Sequence, residues 1–304
     1  MIYTITFNPA LDYVIETENF ETGKINLNKK EYIFPGGKGI NVSIVLKTLG
    51  IDSIAFGFIA GFVGKEIERK VKKYGVRTDF IKIENDISRI NVKITTPFEE
   101  TAIDGKGPFI DKSNIQLLFK KIDMIEDGDT LILSGSVPKG IQKDIYQNIC
   151  ERVKKKDIKI VVDATGDLLL KTLKYKPFLI KPNQYELEEI FNVTISSKNE
   201  AIEYAKILKQ KGAKNVLVSM GRNGAILLDE NGYSYKSIVL NRGRRINTVG
   251  AGDSMVAGFI AGCQLFHNYE KAFQMGIAAA TSTANSIFLA TKDDIYKLFN
   301  LNNL

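Results

Sequence analysis

Thr248-Val249-Gly250-Ala251-Gly252-Asp253, running on into Ser254-Met255-Val256-Ala257-Gly258-Phe259, is a turn of small residues that opens an apolar helix. Residues 250–252 let the backbone approach an anion, and the helix behind them points its unpaired N–H groups and its dipole at the same place. Asp253 falls in the first turn of that helix, where a carboxylate is ordinarily a stabilising charge on the dipole. Two features favour a chemical role. Three small residues in succession build an anion-binding turn that a simple cap does not need. A carboxylate beside a bound phosphoryl group is also unfavourable unless it accepts the proton of an attacking hydroxyl. With the ordinary carboxylate pKa of about 3.9, Asp253 is expected to be ionised at neutral pH.

A second glycine-rich turn, Pro35-Gly36-Gly37-Lys38-Gly39-Ile40-Asn41, leads into a helix that carries Val42, Val45 and Leu46 inward. Paired glycines let a ligand lie against the backbone, Lys38 supplies a cation, and Asn41 supplies both a donor and an acceptor. The GxxxxGK[ST] spacing is absent, which excludes a Walker A site. Taken alone, such a turn is more often structural. Asn8-Pro9-Ala10-Leu11-Asp12 follows the first apolar run and puts Asp12 at a strand's C-terminal end, the edge where open α/β sheets bind ligands. A turn-forming Asp after Asn-Pro is an equal alternative. Lys181-Pro182-Asn183-Gln184-Tyr185-Glu186 follows a later strand. Asn183 and Glu186 lie one helical turn apart, able to share a hydrated Mg²⁺ or to close a capping box, and the box is the more economical of the two.

Short apolar runs at 2–7, 53–58, 130–133, 158–162, 178–180 and 216–219 alternate with helical stretches at 40–49, 63–73, 114–124, 144–155, 199–211 and 254–266. This pattern predicts an α/β fold with a doubly wound, mostly parallel sheet and helices on both faces. Gly50, Gly75 and Gly212 stand just past three of the helices, where helices stop. Two stretches, about 12–34 and 88–104, break the alternation with short strand-like runs and no helix for a crossover. They are expected to form a separate small sheet, whose natural use is a lid. Residues 1–304 are expected to fold as one domain carrying that lid, since no linker-like or repeated tract divides them.

The chain has 304 residues, 44% hydrophobic and 25% charged, which is ordinary for a globular protein with a substantial core. Its apolar runs are too short or too interrupted to span a bilayer, and it opens directly into a strand-like run instead of an export signal, so a cytoplasmic location is expected. Cys150 and Cys263 lack metal-ligand spacing and read as buried reduced thiols. The net charge of +7 is spread along the chain with acidic residues interleaved. The densest basic run, 152–156, ends a helix, where positive charge complements the dipole. This argues against a nucleic-acid partner and for an anionic small-molecule substrate. His267, far in sequence from the motifs, reads as a C-terminal helix charge.

These stretches, in this order, resemble the ribokinase-like (PfkB) carbohydrate kinases. Residues 36–43 are similar to that family's N-terminal signature and residues 247–259 to its C-terminal one, with 181–186 and Ser219-Met220-Gly221-Arg222-Asn223-Gly224 matching between them. The likeness covers essentially the whole chain. It implies a doubly wound sheet with a β-sheet lid, and a homodimer formed through the lid strands. It implies that Asp253 deprotonates the acceptor hydroxyl and that Gly250, Ala251 and Gly252 form the anion hole. Asp12, Gly36, Gly37 and Asn41 would hold the sugar. Lys181, Asn183, Ser219, Gly221, Gly224 and Asn285 would lie along the nucleotide, with Asn183 and Glu186 near the metal. ATP and Mg²⁺ are the implied cofactors, with a monovalent cation as an optional third.

Within that family the sequence is similar to the sugar-phosphate branch. Lys38 inside Gly36-Gly37-Lys38-Gly39, and Arg89 inside Ser88-Arg89-Ile90-Asn91-Val92-Lys93-Ile94, suit the clamping of a phosphate already on the substrate. Gly105-Lys106-Gly107-Pro108 and the stretch 133–140, which brings Ser136 to the substrate side, carry the same likeness. The implied reaction moves the γ-phosphoryl group of ATP to the 6-hydroxyl of fructose 1-phosphate, with tagatose 6-phosphate as the alternative acceptor. Residues 100–104 depart from the branch's pattern, which touches sugar recognition more than catalysis. A catalytically silent sugar-phosphate sensor is the competing reading from another class. An intact Asp253 after an intact 250–252 turn argues against it.

Overall fold

The computed structural model describes residues 1–138, 140–237 and 249–301, so Asn247 and Thr248 of the C-terminal motif, and Lys139, lie outside the described residues. The first half of the chain forms β1 (Ile2–Thr6), β2 (Ala10–Glu16), β3 (Lys30–Gly36), α1 (Lys38–Thr48), β4 (Ser53–Ala60), α2 (Gly61–Lys73), β5 (Arg77–Thr78), β6 (Ile81–Ile83), β7 (Arg89–Thr95), β8 (Glu100–Ile103) and α3 (Lys112–Asp123). The second half forms β9 (Thr130–Ser134), α4 (Ile145–Val153), β10 (Lys159–Asp163), α5 (Gly166–Leu170), β11 (Leu179–Ile180), α6 (Gln184–Phe191), α7 (Lys198–Gln210), β12 (Asn215–Ser219), β13 (Ala225–Leu228) and β14 (Ser234–Lys236). The helices α8 (Ala251–Phe266), α9 (Tyr269–Ala284) and α10 (Lys292–Leu301) follow.

A ten-stranded sheet runs β14-β13-β12-β11-β10-β9-β1-β4-β5, with β6 paired to β4. From β4 through β12 every neighbour is parallel, and β13 and β14 add an antiparallel edge. This is the doubly wound α/β architecture that the alternation predicts. Strands buried on both faces read as continuous apolar runs because each face meets a helical layer. Ile132 and Val161 pack with α1, α8 and α9, whereas Leu131, Leu133 and Val162 pack with α3, α4 and α7. The chain winds from β1 outward through β4, then returns to lay down β9 to β12 on the other side. The reversal falls between β1 and β9, and the crevice outside their C-terminal ends is where such sheets bind ligands.

The two stretches that break the alternation supply a second, four-stranded sheet of order β3-β2-β7-β8. Pro35 sits in edge strand β3, where its missing N–H costs no ladder bond. The register sorts the residues by face. Tyr13 lies level with Ile33 and Val92, and Val92 with Ile103, while Asp12 lies level with Phe34 and Asn91 on the opposite face.

The sequence reading does not pick out α9. That helix is buried on most sides, from Ala272 and Phe273 through Met275 to Ala280, so no polar face marks its period. Among the described residues no helix is long and apolar enough to cross a membrane. Cys150 and Cys263 are free thiols, and burial pushes both up to about 12. His267 is the exposed, left-handed C-cap of α8.

Candidate active site

The C-terminal residues of three adjacent strands, Thr6 of β1, Ser134 of β9 and Asp163 of β10, lie level with one another at the reversal point. Level residues of parallel strands project to the same face. Each carries a buried oxygen without a hydrogen-bond partner, as do Asn8 just past β1 and Asn41 in α1. Buried polar atoms are normally paired, so this edge of the sheet is built to receive a polar ligand.

The turn into α1 meets the second sheet here. Gly37 caps the helix at φ 116, a conformation that side chains rarely adopt. A Cβ on Gly36 would lie 2.5 Å from Oδ2 of Asp12, so the glycine leaves room for that carboxylate. Asp12 is buried, accepts a 2.8 Å hydrogen bond from Asn91 Nδ2 and pairs with Lys93 Nζ at 3.4 Å. Lys93 is not singled out by the sequence reading. The signal for it is the strand alternation that puts residues 89, 91 and 93 on one face. Arg89 Nε donates to the carbonyl of Asn8 at 3.1 Å.

Lys38 and Arg89 have different partners, Arg89 the carbonyl of Asn8 and Lys38 a carboxylate of the central sheet. Lys38 Nζ lies 3.3 Å from Oδ1 of Asp163, and Lys181 Nζ lies 3.2 Å from the same oxygen. Burial alone would raise the carboxyl of Asp163, but Lys181 and Lys38 together outweigh it and hold the group below the usual carboxylate range. Asp163 carries no motif signal, because it simply ends the apolar run of β10.

Helix α8 starts at Ala251, with Gly250 as a left-handed N-cap at φ 79, so Asp253 falls in the first turn as expected. Asp253 is 5% exposed and accepts a 2.8 Å hydrogen bond from Asn41 Nδ2. A Cβ on Gly250 would lie 3.6 Å from that same Nδ2, and one on Gly252 would lie 3.5 Å from Lys181 Nζ. The turn therefore runs between Asn41 and Lys181. Burial first, and the charge of Asp163 second, raise the carboxyl of Asp253 to about 6, against the pull of Lys38, Asn41 and Lys181. That exceeds the ordinary value expected from sequence, because burial is not legible in the motif. The group is still mostly ionised at neutral pH.

Asn183 and Glu186 form the capping box of α6. Asn183 Oδ1 accepts from Glu186 N at 2.9 Å, and Glu186 Oε2 accepts from Asn183 N at 2.8 Å. Asn183 also bridges to Ser219 at the end of β12, which aligns the two stretches. Gly221 opens a short 3₁₀ turn, and the Cβ that Gly224 lacks would meet Ser237 Oγ at 2.2 Å. Asn285 caps the C-terminus of α9. Thr283, in that helix's last turn, shares a 2.8 Å hydroxyl hydrogen bond with Ser254 beside Asp253. Ser136 lies two residues past β9 and is exposed, whereas Ser134 is buried.

Among the described residues no three His, Cys, Asp or Glu side chains cluster to hold a metal. A Mg²⁺ that keeps its waters and rides on substrate phosphates needs only one or two carboxylates. Glu186 with Asn183 beside it fits that donor set.

A buried carboxylate at a helix N-terminus, in the switch-point crevice of a doubly wound sheet and beside a smaller sheet, suits a small-molecule phosphotransferase. The model of the family described as pfkB family carbohydrate kinase matches residues 6–287, and the chain belongs to that family. It is 39% identical over 298 residues to the 1-phosphofructokinase of Bacillus subtilis, spanning 98% of this chain and 97% of that one. It is 38% identical over 287 residues to the D-tagatose-1-phosphate kinase of Bacillus licheniformis, spanning 94% and 93%. The structure of phosphofructokinase-2 from Escherichia coli in complex with substrates and products aligns with a TM-score of 0.94 at 26% identity, covering 100% and 99% of the two chains.

Proposed function

We propose that the chain transfers the γ-phosphoryl group of ATP to the 6-hydroxyl of fructose 1-phosphate, giving fructose 1,6-bisphosphate. The observation that carries this reading is the buried pair Asp253–Asn41 at the 250–252 turn. A carboxylate beside an anion-binding helix N-terminus is placed to take the proton of a hydroxyl that attacks phosphorus. The relative named 1-phosphofructokinase supports fructose 1-phosphate as the acceptor.

In this reading Arg89 and Ser136 hold the phosphate already on the sugar, while Lys38, tied to Asp163 and facing Asp253, meets the end of the substrate where the phosphoryl group arrives. Asp12, fixed by Asn91 and Lys93, orients the hydroxyls together with Gly36, Gly37 and Asn41. The N–H groups of Gly250, Ala251 and Gly252 and the dipole of α8 stabilise charge on the transferring group. Lys181, Asn183, Ser219, Gly221, Gly224 and Asn285 line the nucleotide. Glu186 and Asn183 would hold a hydrated Mg²⁺, which when bound offsets the charge of the nucleotide phosphates. A monovalent cation is an optional addition.

Residues 1–304 work as one unit with the second sheet as its lid. The face with Asp12 and Asn91 closes over the crevice and excludes water, which limits wasteful hydrolysis. The opposite face presents Ile33, 44% exposed, and Ile103, 63% exposed, in one row with Tyr13 and Val92. That apolar row suits an isologous contact with a second copy, a homodimer through the lid. A reaction that consumes ATP suits the cytoplasm.

A tagatose phosphate is the second reading, favoured by the near-equal identity to the tagatose-1-phosphate kinase. Coupled ADP release with ATP and Mg²⁺, comparing fructose 1-phosphate, tagatose 1-phosphate, tagatose 6-phosphate, fructose 6-phosphate and fructose, decides between them. Preference for fructose 1-phosphate that collapses in Asp253→Asn supports the proposal. Preference for either tagatose phosphate keeps the mechanism and changes the acceptor, and no turnover with any sugar leaves the silent sensor.

A further inference from the structure

We propose that Asp163 is a positioning residue for phosphoryl transfer, stationing Lys38 and Lys181 beside the anion-binding turn and setting the field in which Asp253 works. The proposal rests on the kinase reading above and concerns a residue that no motif marks.

Asp163 is wholly buried at the end of β10. Its Oδ1 is shared by two ammonium groups from different parts of the chain, Lys38 from the start of α1 and Lys181 from just past β11. Two like charges so close would repel and drift apart without the carboxylate between them. Lys181 is itself buried, with a side chain only 4% exposed, so its charge needs this partner. Its Nζ is the atom that borders Gly252 at the anion-binding turn. Lys38 stands one helical turn before Asn41, whose amide holds Asp253. One carboxylate thereby fixes the cation beside the transferring group and the helical turn that aligns the base.

The groups facing Asp253 are Asp163 from β10, Lys38 and Asn41 from α1, and Lys181 after β11. From α9 the neighbouring group is the hydroxyl of Thr283, reached through Ser254. Asp163 raises the proton affinity of Asp253, and both lysines lower it. Without the charge of Asp163, the lysines act on Asp253 unopposed and make it a weaker base.

Asp163→Asn keeps the shape and one acceptor oxygen. Its kcat is expected to fall on the order of 100-fold through misplaced groups, with a smaller rise in KM for both substrates. The acid limb of its kcat/KM profile should move down by about one unit. Lys38→Met removes a cation facing Asp253, so its limb moves up, and the double variant returns toward wild type. Comparing the double variant with Lys38→Met supplies the same test if Asp163→Asn alone does not fold. Carbon-13 carboxyl NMR, with Asp253 assigned through Asp253→Asn, reads these shifts without turnover, so failure of the kinase reading is separable from failure of this one. An unmoved limb in Asp163→Asn, or shifts of the same sign in both single variants, overturns the proposal. Recovery of the Asp163→Asn rate by added Mg²⁺ with no shift also overturns it, and assigns the carboxylate to the metal.

Discussion

The ring of Phe34 on β3 lies face to face with that of Phe288, their centroids 4.3 Å apart and their planes 3° from parallel. Phe34 belongs to the second sheet and stands level with Asp12, whereas Phe288 lies between α9 and α10. Tyr32 extends the stack along the sheet, and Tyr74 closes on it from the end of α2. The next residue, Leu289, is the one that a Cβ on Gly250 would strike, at 2.8 Å. Ala290 N donates to Thr283 Oγ1, the hydroxyl that pairs with Ser254. A ring on the second sheet is thus joined through packed neighbours to the helix N-terminus that carries Asp253.

If the second sheet closes as proposed, Phe288→Ala should loosen that closure without touching the chemistry. A stacked aromatic pair is worth about 0.5–1.5 kcal/mol beyond its burial, enough to populate open states. The expected result is a several-fold higher KM for the sugar phosphate, with little change for ATP, and more ADP released than bisphosphate formed. Parallel assay of both products checks it. A ratio that stays at unity with an unchanged KM would detach this stack from closure.

Asp253→Asn should cost on the order of 10²–10⁴ in kcat, the contribution of a general base. The same change should stabilise the fold at alkaline pH. In the folded chain the carboxyl of Asp253 is raised to about 6, above its unfolded value of about 3.9. The folded state holds the proton more tightly, so this group's contribution to stability is present at low pH and is lost as pH rises through that window. The variant is expected to melt higher than wild type near about pH 8 and close to it near about pH 4. Equal melting temperatures at the higher pH would show a carboxylate better solvated than its burial implies.

Part of this site was legible because it lies where backbone constraint dictates residue type. Gly37 and Gly250 sit at positive φ at the starts of α1 and α8, and the residues that follow them, Lys38, Asn41 and Asp253, inherit their positions from those turns. Thr6, Ser134 and Asp163 end ordinary apolar strands, and only the register of three strands far apart in sequence brings them level. Lys93 was hidden in the same way, since its partner Asp12 lies on a neighbouring strand. The proton affinity of Asp253 was misjudged because it depends on burial by α1 and on the charges of Asp163, Lys38 and Lys181. Alternating strands and helices gave the layers, because each strand must be apolar on both faces, but the all-round burial of α9 erased its period.

Asn41→Ala separates the hydrogen bond from the carboxylate it holds. The amide donates to the ionised form of Asp253 at 2.8 Å and favours it. Its loss should raise the carboxyl further, so the acid limb of kcat/KM moves above its wild-type position near about 6. The pH–rate profile measures this directly. A limb that falls instead would mean that water replaces the amide and solvates the carboxylate.

Asp12→Asn tests whether the second sheet reads the sugar. The carboxylate of Asp12 is fixed from β7 by Asn91 and Lys93 and lies over Gly36, where a side chain would collide with it. Its level position with Asn91 on the polar face puts it beside the turn that begins α1. A sugar hydroxyl donating to an ionised group is worth about 1.5–3 kcal/mol. The asparagine offers one neutral acceptor and loses its attraction for Lys93. Sugar-phosphate kcat/KM is therefore expected to fall by about 10–100-fold, while KM for ATP stays within about twofold, because Lys181 and the β12 turn lie on the other side of the crevice. Gly36→Ala, which displaces the same carboxylate without altering its charge, should reproduce the loss. If ATP binding weakens equally in both variants, Asp12 orders the whole crevice and does not select the sugar.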